Sequence, residues 1–327
     1  MFRTLALTAT LALGTAAPSV QAQEGELLNV SYDIARELYA AVNPAFLEQY
    51  EGGGDLSVNQ SHAGSSTQAR AILQGLQADL VTFNQVTDVN ILAENGFVAE
   101  DWQDQFPNNA SPYYSLPAFM VREGNPQDID GWEDLARDGV SVIFPNPKTS
   151  GNGRYTYLAA WAWAMEEYDG DANRVREYMD AVLANVEVFD TGGRGATTSF
   201  VERGLGDVLV TFEAEALNIS EQEGYETVVP DTSLLAEFPV AVVERVAEQN
   251  GTADVARDYL EFLYSTQGQE ILASFNNRVH DEAVVEANAE RFPEVELLTV
   301  EDSFGSWAEA QETHFASGAM LDRLLRN

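Results

Sequence analysis

GVSVIF (139–144), PNPKTSGNG (145–153) and RYTYLAAWAWAME (154–166) follow one another without a break. The first stretch is short, apolar and rich in branched residues, which reads as a buried strand. The second is dense in Pro, Asn, Ser and Gly, which reads as a loop. The third is long and helix-favouring, and its aromatic residues Tyr155, Tyr157, Trp161 and Trp163 at helical spacing read as core packing.

The same order recurs on both sides of this segment. Residues 27–31 (LLNVS) form a strand that runs through Tyr32 and Asp33 into a helix over 34–42. A strand over 56–60 runs through 61–67 (SHAGSST) into a helix over 68–76, and a third strand follows at 79–83. A strand over 186–189 runs through 190–195 (DTGGRG) into a helix over 198–204. A strand over 207–212 (DVLVTF) enters a helix over 213–218. Alternating strands and helices predict an α/β chain. Its 327 residues exceed one core, so two lobes are expected. Strands at 116–122 and 238–243 mark the crossings between them. Lobe I is expected over 23–114 plus 243–327 and lobe II over 115–242, each a mixed sheet flanked by helices.

Strand, Ser/Thr/Gly loop, helix start: this device suits an anion. The first turn of a helix has unpaired N–H groups, and the macrodipole adds partial positive charge there. Glycine lets the backbone come close, and hydroxyls add donors. Such a terminus holds an anion without a cationic side chain. In open α/β sheets these loops gather at the carboxyl ends of the strands. Any single Ser or Thr before a helix is more simply an N-cap. Two such loops in each expected lobe argue for a shared cleft.

Composition narrows the classes. Acidic residues outnumber basic ones 53 to 17, for a net charge of −36, and Lys148 is the sole lysine. This repels nucleic acid and anionic membranes, and reads as an acidic coat suited to high external salt. Anion capture must then depend on short-range contacts. There is no cysteine, so disulfides and thiolate metal sites are excluded. The three histidines, His62, His280 and His314, are scattered, so neither a metal site nor a cofactor is expected. Residues 1–22 read as a cleavable signal peptide: Arg3, an apolar run over 5–17, then Val20-Gln21-Ala22. That predicts export to the periplasm.

The segments LLNVSYD (27–33), QSHAGSS (60–66), NPKTSGN (146–152), DTGGRGATTSF (190–200), ERGLGDVLV (202–210) and FGSW (304–307) occur in order. With them the chain resembles the bacterial periplasmic sulfate- and thiosulfate-binding proteins of ABC importers. QVTDV (85–89) and VEVFDTGGRGATT (186–198) look most like the thiosulfate-binding branch. The resemblance implies a two-lobed, Venus-flytrap binding protein that takes a dehydrated dianion on backbone and hydroxyl donors. Carried over by motif, Asp33 gives its N–H, Ser65 its N–H and hydroxyl, Ser150 its hydroxyl, and Gly151, Asn152 and Gly193 their N–H groups. Gly64, Gly192 and Arg194 support these loops from behind. Lys148 and Arg194 are expected to pair with carboxylates or helix-end carbonyls instead of the ligand. The resemblance also implies permease and ATPase subunits of an importer as partners of a monomer.

Phe212 departs from the sulfate-binding pattern, which has an indole N–H donor at that position. A ring there suits the softer terminal sulfur of thiosulfate. Alternatives are another tetrahedral oxyanion, such as phosphate or molybdate, on the same fold. A hydrolase built on Ser65 and His62 is a weaker rival, since no G-x-S-x-G elbow is present.

Overall fold

The computed structural model describes residues 25–52 and 55–326. The signal peptide expected at 1–22 lies outside the described residues. Strand β1 (Glu26–Ser31) passes through a short 3₁₀ turn at Asp33–Ala35 into helix α1 (Arg36–Gln49). Strand β2 (Ser57–His62) leads into α2 (Ser65–Leu73), and β3 (Leu80–Thr82) leads into α3 (Val86–Glu94). Both β2 and β3 run parallel to β1, which places the residues after each strand along one edge.

The second sheet has five strands. They are β4 (Pro117–Arg122), β5 (Val142–Pro145), β6 (Val186–Asp190), β7 (Val208–Phe212) and β8 (Tyr225–Val228), in the order β6-β5-β7-β4-β8. Strands β5, β6 and β7 are parallel and each feeds a helix: α4 (Gly151–Glu167), α5 (Gly193–Thr197) and α6 (Glu213–Ser220). The return strand β9 (Val240–Val242) pairs antiparallel with β3, completing a first sheet of order β9-β3-β1-β2. Between the two sheets, Tyr113–Ser115 pairs with Ala236–Glu237 on one side and Arg278–Val279 on the other. The architecture is α/β with two sheet-centred lobes.

The strands form where the sequence concentrates branched apolar residues. Val142, Ile143 and Phe144 of β5 and Val208, Leu209 and Val210 of β7 are all buried. At about 25 cal/mol per Å² of apolar surface removed from water, each such side chain contributes roughly 1.5–3 kcal/mol. Tyr155 and Tyr157 on α4 are fully buried, as expected, while Trp161 and Trp163 are half-buried. Tyr155 packs edge-on to Trp307, so the C-terminal segment covers this helix.

The helices start earlier than the sequence suggested. Helix α2 begins at Ser65 and α4 at Gly151, inside the segments read as loops. Ser150 is the N-cap of α4, and its hydroxyl accepts from the Gly153 N–H at 3.3 Å. Glycine is a poor helix former, which hid these turns, but the cap offsets that cost. The Gly/Ser segments are therefore the first turns themselves.

Candidate functional site

Three residues follow the parallel strands of the first sheet: Asp33 after β1, Ser65 after β2 and Asn84 after β3. Three groups follow those of the second: Ser150 and Gly151, Gly192 and Gly193, and Phe212. The two sets face each other at contact distance. A β-carbon built on Gly151 would lie 2.5 Å from Asn84 Oδ1 and 3.0 Å from both Asn84 O and Gln85 Cβ. One on Gly192 would lie 2.7 Å from Asp33 Oδ2, and one on Gly64 3.3 Å from the Thr149 carbonyl oxygen. At 151 the backbone of the opposite lobe occupies the space of a side chain, and at 192 a side chain would have to displace the Asp33 carboxylate.

Hydrogen bonds fix the individual donors. Helix geometry leaves the N–H groups of Gly151 and Asn152 without an intrahelical partner, whereas that of Gly153 is taken by Ser150. Accepting that bond leaves the Ser150 hydroxyl proton to donate elsewhere. The Asn152 carboxamide donates to Thr211 Oγ1 at 2.9 Å, tying the start of α4 to the end of β7. The position of a Gly193 β-carbon is 3.3 Å from Asn152 Nδ2 and 3.4 Å from Ile34 Cγ2, so three of the loops meet there.

Two residues differ in detail from the sequence-based expectation. The Ser65 hydroxyl donates to Asn84 Oδ1 at 2.7 Å and accepts from the Asn84 N–H at 3.1 Å, so its proton is already committed within lobe I. Asp33 places its carboxylate at the seam between the lobes. Oδ1 accepts from the Ile34 N–H at 3.2 Å and Oδ2 from the Arg194 N–H at 3.3 Å. Burial raises its pKa, and the bond from the Arg194 amide pulls it down. Each carboxylate oxygen thus rests on a peptide N–H, one of them belonging to the opposing helix start.

The cations stand aside. Arg194 forms an ion pair with Glu37 across the seam at 2.8 Å, with half of its side chain exposed. Lys148 pairs with Asp322 at 2.8 Å and donates to the Phe315 carbonyl at 2.8 Å. Arg154 donates to Thr87 Oγ1 at 2.7 Å, again from one lobe to the other. His62 Nδ1 lies 3.0 Å from the Tyr32 carbonyl oxygen, so it is not hydrogen-bonded to Ser65.

Phe212 is fully buried, edge-on to Phe238 at 5.1 Å and to Tyr155 at 5.9 Å, while Tyr32 stacks on Phe238 at 5.3 Å. Phe212 lines a cavity of about 30 Å³ together with Tyr32, Ile34 and Glu215. Glu215 accepts from Thr197 Oγ1 at 3.0 Å. Burial pushes its pKa up to about 7, with Asp33 and Glu37 adding repulsion and Arg194 opposing. Sequence reasoning missed Asn84, Gln85 and Glu215. Only the position of Asn84 after a third strand could have flagged the first two.

Residues 28–275 match the family model described as bacterial extracellular solute-binding protein. The thiosulfate-binding protein of Escherichia coli (strain K12) is 55% identical, over 98% of this chain and 96% of its own length. The sulfate-binding protein of the same strain is 44% identical over 94% of this chain and 95% of its own. Among solved structures, the sulfate-binding protein SubI from Mycobacterium tuberculosis H37Rv superposes with a TM-score of 0.81 at 31% identity, covering 89% of this chain and all of that one.

Proposed function

The chain belongs to the family of bacterial extracellular solute-binding proteins, and we propose that it captures thiosulfate, and also sulfate, in the interlobe cleft for delivery to an ABC importer. One observation carries this reading: helix starts from both lobes close on each other at glycines 151, 192 and 193, while Arg194 and Lys148 are engaged elsewhere. A site of that kind binds a dianion through amides and hydroxyls. In it Asp33, Ser65, Gly151, Asn152 and Gly193 give N–H groups and Ser150 its hydroxyl. The Ser65 hydroxyl adds a donor only by turning away from Asn84. Gly64, Gly192 and Arg194 hold the loops in place.

Such a site favours fully ionised dianions. Sulfate and thiosulfate only accept hydrogen bonds, whereas phosphate near pH 7 keeps an O–H that needs an acceptor. The Asp33 carboxylate is turned to amides, each oxygen accepting one N–H, which leaves each a single further acceptor site. An unpaired buried O–H costs about 1–3 kcal/mol. Phe212, offering no donor beside this region, favours a terminal sulfur over a fourth oxygen. The protein acts by binding and release, without catalysis. It is a periplasmic monomer exported by a cleaved leader, with lobe I over 23–114 plus 243–327 and lobe II over 115–242, and permease subunits read the rims of its closed form.

A thermal-shift series tests this reading. Ligand at a hundredfold excess over Kd stabilises the folded state by about 2.7 kcal/mol. Thiosulfate and sulfate should raise the melting temperature by several degrees and phosphate should not. A shift with phosphate or molybdate alone would refute the reading.

A further inference from the structure

We infer that Gln85 is a further ligand-binding residue, its carboxamide N–H donating to the dianion held between the lobes; this rests on the function proposed above. Gln85 is fully buried, yet its Nε2 has no hydrogen-bond partner. A buried amide donor left unpaired is rare, because it forfeits its bonds to water. One contact orients the carboxamide, at the outer limit of hydrogen-bond length. Gln85 is the N-cap of α3, and its Oε1 accepts from the Thr87 N–H at 3.5 Å. Exchanging oxygen and nitrogen would set two donors against each other, so Nε2 points away from α3.

Its location supplies the acceptor. Gln85 follows β3 on the same sheet edge that presents Asp33 and Ser65. Its Cβ lies 3.0 Å from the position of a β-carbon on Gly151, the first residue of α4 in the other lobe. Its neighbour Asn84 holds Ser65 in both directions. Gln85 thus joins the donors of lobe I at the point where lobe II closes on them, and an oxyanion acceptor there would satisfy its Nε2, one of the few buried polar atoms left unpaired among the described residues. A donor so placed reaches the ligand only when the lobes are together, which couples it to closure.

Two variants test this by titration calorimetry with thiosulfate and with sulfate. Gln85→Met keeps length and removes the donor. Gln85→Glu keeps the Oε1 that caps α3 and sets negative charge toward the dianion. Losing one bond to a charged ligand should weaken binding about 10- to 100-fold in Gln85→Met, and Gln85→Glu should weaken it further. A purely capping role predicts normal binding in Gln85→Glu. Gln85→Met also loses the acceptor that caps α3, so its melting temperature without ligand should fall slightly, whereas Gln85→Glu keeps that cap. Both variants binding within twofold of wild type would overturn this inference alone. Wild type releasing no heat with either anion would overturn the proposed function and this inference with it.

Discussion

Replacing Gly151 by alanine puts a methyl group into the contact between the lobes. Its carbon would sit 2.5 Å from Asn84 Oδ1 and 3.0 Å from both the Asn84 carbonyl oxygen and Gln85 Cβ. Asn84 cannot yield easily, because Ser65 holds its carboxamide at 2.7 Å. The start of α4 must instead retreat by about half an ångström, which is enough to forfeit much of a close contact. Ser150, Gly151 and Asn152 move with it, away from a ligand held by lobe I. Loosening two bonds to a charged ligand, at roughly 1.5–3 kcal/mol each, weakens binding by about 10²- to 10⁴-fold. Folding should not suffer, since alanine favours a helix over glycine by up to about 1 kcal/mol. Calorimetry should therefore show a large rise in Kd while the melting temperature without ligand is unchanged or higher. Gly153→Ala is the contrasting control. Its β-carbon would strike the Pro145 carbonyl inside the same lobe, so it should lower the melting temperature with or without ligand. A Gly151→Ala protein binding thiosulfate within threefold of wild type would refute the closed-cleft argument.

Ser150→Ala should weaken binding about tenfold or more, through the lost hydroxyl and the lost cap on Gly153, as read by titration calorimetry. Ser65→Ala should do so chiefly by freeing Asn84, so its loss should be partly shared with Asn84→Ala in a double-mutant cycle. Phe212→Trp introduces an indole donor and should shift the affinity ratio toward sulfate; an unchanged ratio would disprove the role given to Phe212. Glu215 supplies a pH dependence. Burial at the seam raises its pKa to about 7, so the closed form holds a proton that the open form releases near its ordinary value of 4.5. Closure is therefore favoured fully below about pH 4.5, and that advantage is lost as pH rises through 7. Sulfate, whose own charge does not change over this range, should bind more weakly at pH 8 than at pH 5, and Glu215→Gln should flatten the profile.

The strands were legible because runs such as those at 142–144 and 208–210 are apolar and branched. The parallel order followed from their alternation with helices. Helix starts were displaced in the reading because Gly151 and Gly153 signal a loop locally, while the cap from Ser150 and the packing against Asn84 make a helix of them. Asn84 and Gln85 carry no Gly/Ser signature, so their place in the cleft emerges only from the position of β3 beside β1. The pairings of Arg194 with Glu37 and Lys148 with Asp322 join residues far apart in the chain. Sequence reasoning set both cations aside from the ligand, but it could not name their partners. Nor could it foresee the Asp33 carboxylate resting on the Arg194 amide, since local pattern does not encode which loops face each other across a seam.

The most direct measurement is an amide-resolved NMR titration of the ¹⁵N-labelled protein with thiosulfate. Hydrogen bonding to a dianion should move the N–H resonances of Asp33, Ser65, Gly151, Asn152 and Gly193 downfield together, saturating at one equivalent. Shifts confined to one lobe, or centred on residues away from these helix starts, would contradict the account.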